Sequence, residues 1–153
     1  MFLPESLNSS MLKQYTNELL ETNEKTKEYG LVLTPDEIKN MLAVRNQILH
    51  GYGRVELGIE VTKQLAEVFS ASPYINNENY ASTLNELHEI FYDLKNETEE
   101  KISDFKLIER MKDDYDNVCG GSVELLKSKL DDFAEHFRSD MQINEFELER
   151  DEC

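Results

Sequence analysis

Tryptophan is absent from the chain, and cysteine occurs only at Cys119 and Cys153. Two thiols so placed make no disulfide framework, which points to a reducing compartment, and we expect a cytoplasmic protein. Three prolines and six glycines leave few breakpoints, which disfavours a turn-rich sandwich or barrel. Positive charge is scarce: 16 Lys and Arg face 32 Asp and Glu, for a net charge of −16. The deficit is uneven, with residues 1–85 at net −4 and residues 86–153 at net −12. Phosphate backbones and anionic lipid both need clustered Lys or Arg, so neither nucleic acid nor membrane is an expected partner. A basic protein partner, cations, or plain solubility fit such a surface. No apolar run approaches membrane-spanning length. Residues 1–7 lack the basic region and apolar run of a signal peptide.

What the chain does have is helical patterning. Its 153 residues, 39% hydrophobic and 31% charged, suffice for one domain with a core that needs no metal or disulfide. The most informative stretch is residues 34–58. Thr34 is placed to cap, Pro35 suits the first helical position, and Glu37 completes a capping box. Gly51 and Gly53 end the helix. Between them Ile38, Met41, Leu42, Ile48, Leu49 and Tyr52 share one face, and Arg45 stands where that apolar stripe should continue. A guanidinium in that position must be paired or must reach water.

Taken in order, residues 1–9 read as loosely ordered, followed by one helical domain over 10–140 and an acidic tail over 141–153. The first helix is expected from Asn8–Ser10 to about Glu28, its second half polar enough to fray or act as a connector. After Gly53, alternation of Val55, Leu57, Ile59 and Val61 suggests a short extended piece at 54–57. A helix from about Gly58 to Ala71 should follow, stopped by Pro73. Asn76 and Asn77 are expected to cap the next helix, which runs to about Asn96 with Tyr80, Leu84, Leu87, His88, Phe91 and Leu94 inward. Ser103 caps another to about Asp116, and Asn117–Ser122 is a break. Val123, Leu126, Leu130, Phe133, Phe137 and Met141 then form the clearest amphipathic stripe. The fold class is all-α: a single irregular bundle of about six helices.

Several segments resemble a bacterial family of small helical proteins without an assigned activity. They are Ala43–Asn46, Gly53–Gly58, Ser72–Ile75, Ile90–Thr98, Met111–Asp116 and Cys119–Ser122, and the likeness spans roughly Gly30–Leu130. The resemblance implies a helical domain and transfers no catalytic residue.

The residues themselves offer few chemistries. Arg45, Asn46, His50, Arg54 and Glu56 could line a polar pocket in which the two guanidiniums clamp a carboxylate or phosphate. The structural alternative is an ion pair between Arg45 and Glu56, Glu60, Glu86 or Glu89. Metal binding is poorly served. Glu86 and His88 are too close for the Glu-x-x-His pattern of di-iron bundles, and Asp132 with His136 makes only a pair. Cys119 lies in a glycine-rich turn, but a buried cysteine plugging that turn suits the pattern better than a nucleophile. His88 reads as a core histidine. No cofactor is expected. The leading reading is a non-enzymatic protein-interaction domain that docks through its acidic tail, with Met141, Ile143, Phe146 and Leu148 touching a basic partner. A homodimer is possible if the stripe around Phe133 and Phe137 is only partly covered. The alternative is a small-anion-binding or hydrolytic domain centred on Arg45 and Arg54.

Overall fold

The computed structural model describes residues 9–152, with side chains described through residue 140. Six helices carry these residues: α1 (Ser9–Thr26), α2 (Pro35–Gly51), α3 (Glu60–Phe69), α4 (Tyr80–Glu97), α5 (Asp104–Asn117) and α6 (Val123–Glu152). There is no strand among them, so the chain is the all-α bundle its pattern predicts. Helix α4 is the axis. Ten of its 18 residues are buried, and α2, α3, α5 and α6 all pack on it, while α1 lies across α2 and α3. Leu19, Leu42, Leu65, Phe69, Leu87, Phe91, Ile108 and Leu126 are fully buried where these helices meet. Each contributes about 1.5–3 kcal/mol relative to exposure. No described helix is long and apolar enough to cross a membrane.

The start of α2 forms as its sequence dictates. The Thr34 hydroxyl accepts from the Glu37 N–H at 3.1 Å, and the Glu37 carboxylate accepts from the Thr34 N–H at 2.9 Å. The polar half of α1 neither frays nor merely connects. It remains helical to Thr26 because Thr16, Thr22 and Thr26 turn inward, and their hydroxyls donate to the Leu12, Leu19 and Leu31 carbonyls. Asn23 holds the next segment as a neighbouring strand would. Its amide donates to the Leu33 carbonyl at 3.0 Å and accepts from the Leu33 N–H at 2.9 Å.

Three boundaries differ from expectation. Residues 54–57 are irregular, because Gly53 and Gly58 adopt left-handed φ of 65° and 82° and bend the segment at both ends. Helix α3 consequently spans Glu60–Phe69, shorter at each end than expected. Asn76 and Asn77 build the loop before α4 instead of capping it. The Asn76 side chain accepts from the Glu78 and Asn79 N–H groups, and Asn77 accepts from the Val32 N–H at 3.0 Å. At the far end Ser103 caps α5 and Ser122 caps α6, as the spacing predicts. Helix α6 runs on without interruption past residue 141, across the expected start of the tail. The expected loose N-terminus lies outside the described residues, as do the side chains of Met141, Ile143, Phe146 and Leu148.

Candidate anion site

Arg45 occupies the buried face of α2 between Met41 and Ile48 and is 2% exposed. None of the four glutamates expected to answer it does so. Its guanidinium donates to the Gly58 carbonyl at 2.6 Å and to the Asn46 side-chain oxygen at 3.1 Å, while its buried Nε has no acceptor. A guanidinium carries five donors, and among the described residues no carboxylate comes within ion-pair distance of this one. A neutral carbonyl offsets only part of the cost of burying that charge.

The loop after α2 creates the surroundings. Backbone bonds from Gly53 to His50 and from Arg54 to Leu49 fold the chain back on the helix end. Gly58 then re-enters the core with its peptide held on both sides: its N–H donates to the Tyr15 hydroxyl at 3.1 Å, and its carbonyl accepts from Arg45. Between the glycines the side chains alternate. Arg54 and Glu56 point inward with about a fifth of each side chain exposed, 19% and 22%. Val55 and Leu57 point outward, 75% and 95% exposed.

Glu56 accepts a 2.6 Å hydrogen bond from the Tyr92 hydroxyl. Burial, reinforced by that carboxylate, pushes the Tyr92 phenol well above its ordinary range, so the phenol remains a donor. Arg54 lies over the Tyr92 ring at 5.7 Å and pairs with Glu100 at 2.8 Å and, more loosely, Glu56 at 3.8 Å. Its charge is thus answered within the fold, while no carboxylate among the described residues answers that of Arg45. The field of Arg45 is also felt at His88. That ring is fully buried, with Nδ1 donating to the Leu84 carbonyl at 2.7 Å and Nε2 accepting from the Thr62 hydroxyl at 2.8 Å. Burial, helped by the Arg45 charge, lowers His88 to about 4.

A cavity of about 40 Å³ opens beside Arg45. All five residues expected to share a pocket line it: Arg45, Asn46, His50, Arg54 and Glu56. Met11, Tyr15 and Leu49 supply apolar lining, and Val55 borders the cavity. The space suits about three waters, the bulk of one carboxylate group. The sequence reading missed Tyr15, Tyr92, Glu100 and the Gly58 carbonyl. The tyrosines sit on ordinary apolar stripes, and a backbone carbonyl leaves no trace in residue identity.

The remaining candidates are elsewhere. Cys119 is buried after α5, and burial together with the Asp114 carboxylate pushes its thiol up, away from nucleophilic form. His136 meets Asp132 only through the backbone carbonyl at 2.8 Å. Phe133 and Phe137 are half-buried and pack on each other at 6.2 Å, with Arg110 covering Phe133.

Fold and site together define a small α-helical domain with a buried arginine within its second helix that no described carboxylate neutralises. The chain belongs to DUF6323, a family of unknown function whose model matches residues 18–143, more of the chain at each end than the likeness read from its segments. No curated protein and no solved structure matches it.

Proposed function

We propose that this domain binds a small monoanionic group, a carboxylate, in the cavity beside Arg45. The observation that carries the reading is the buried Arg45 guanidinium, which no carboxylate among the described residues answers. Charge bookkeeping disfavours a dianion, because Glu56 and Glu100 already match Arg45 and Arg54 in number. The dimensions agree, since the cavity admits a carboxylate but little more. The role is binding, not catalysis, exercised in the cytoplasm, where Cys119 stays a free thiol.

A thermal-unfolding titration with sodium acetate and formate, against sodium chloride at equal ionic strength, tests the reading. Wild-type protein should gain melting temperature with either carboxylate beyond the chloride control, as a ligand bound only to the native state requires. Arg45→Met should lose the gain while remaining folded, since methionine matches the apolar stripe of α2. Should Arg45→Met fail to fold, the more exposed Arg54→Met provides the comparison. A carboxylate response no larger than that to chloride in the wild type would refute the site.

A further inference from the structure

The loop that walls the anion cavity is inside out. A short segment beside a core normally turns apolar side chains inward, yet Arg54 and Glu56 face the cavity while Val55 and Leu57 face solvent. Leu57 is 95% exposed, the most of any large hydrophobic described. Val55 also lines the cavity, so its exposed side chain marks the mouth, with Leu57 two residues further along the same outer side. Among the described residues, the N–H groups of Val55, Glu56 and Leu57 donate to no protein acceptor, unlike those of Arg54 and Gly58 at either end. Consecutive free N–H groups are open to acceptors from another chain.

We infer that the carboxylate bound at Arg45 is the free C-terminus of a partner polypeptide ending in an apolar residue, which Val55 and Leu57 hold at the mouth. The inference rests on the anion-site reading and names its ligand. Size supports this. A cavity of about 40 Å³ holds a carboxylate, so whatever is attached to that group emerges at the mouth beside Val55. Charge agrees, because a chain terminus brings one negative charge to Arg45, which no carboxylate among the described residues answers. A terminal apolar side chain covers what the loop exposes, and the residue upstream presents carbonyls to the free N–H groups.

The test is an NMR titration of the full chain, following amide shifts across residues 52–59, with three probes. They are N-acetyl-Gly-Gly-Leu with a free carboxylate, the same peptide amidated, and acetate. The free-acid peptide should bind at least about tenfold tighter than acetate, the gain expected from covering a leucine side chain. The amidated peptide should lose that binding. Leu57→Ser, a surface change that leaves the fold alone, should bring the peptide down toward acetate while acetate binding is unchanged. Equal affinity of peptide and acetate, undiminished binding of the amide, or indifference to Leu57→Ser would each overturn the inference and leave the carboxylate site standing. If neither acetate nor the free-acid peptide shifts these amides, the site reading itself fails, and the inference with it.

Discussion

Acidification should unfold this protein partly through one side chain. His88 touches α2, α3 and its own helix: Arg45 contributes a repulsive field, Thr62 donates to Nε2, and the Leu84 carbonyl holds the Nδ1 proton. Protonating Nε2 would turn the Thr62 hydroxyl from donor to acceptor and place a charge in a fully buried space, beside a second positive charge. Folding therefore lowers the group from 6.5 to about 4. The folded state binds fewer protons than the unfolded state across that interval. Stability is thus intact above about pH 6.5 and falls as the pH drops toward 4. At about 1.36 kcal/mol per pH unit the full penalty is about 3 kcal/mol, of which about 2 kcal/mol has accrued by pH 5. Urea unfolding at pH 7 and pH 5 measures it, with His88→Gln as reference because glutamine offers a donor and an acceptor without titrating. The wild type should lose about 2 kcal/mol more than the variant over that interval, the carboxylates contributing equally to both. Equal losses would refute the reasoning, as would an NMR titration placing the His88 ring near 6.5.

Other consequences are simpler to read. Gly121→Ala should cost about 2–3 kcal/mol in urea unfolding: φ there is 82°, and an added Cβ would sit 2.5 Å from the Tyr74 side chain. Thr34→Ala should cost about 1 kcal/mol, because it removes half of the capping box of α2. Glu99→Gly should raise the urea midpoint by an amount equivalent to about 1 kcal/mol, since a non-glycine residue now holds φ of 55° in the turn after α4. Arg45→Met, beyond losing any carboxylate response, should leave the His88 ring titrating higher than in the wild type, because a neighbouring positive charge is gone.

The parts of this fold legible in the sequence are those decided locally. Thr34, Pro35 and Glu37 set the start of α2 within four residues, and the same holds for Ser103 and Ser122. The Arg45 anomaly was equally visible, being a break in a period, and it led to the five residues that share a cavity. Its partner was not visible, because a backbone carbonyl 13 residues away supplies it. The alternation at 54–57 was real but gave no sidedness. Periodicity says that successive side chains face opposite ways, and only the placement of Arg45, Tyr15 and Tyr92 turned the polar pair inward. Asn77 looked like a cap and Asn23 drew no reading, whereas each satisfies backbone groups brought close by the tertiary fold.

The backbone of Gly58 joins a tyrosine of α1, an arginine of α2 and the entrance to α3 through two hydrogen bonds. One of them spans 43 residues of chain, so it cannot form until α1 has docked. That amide proton is consequently a built-in gauge. Its exchange with deuterium times the detachment of α1, while exchange at Val55–Leu57 reads the loop alone. A molecule seated beside Arg45 that slows both would be fastening the first helix to the second, making occupancy of the cavity and closure of the domain one event.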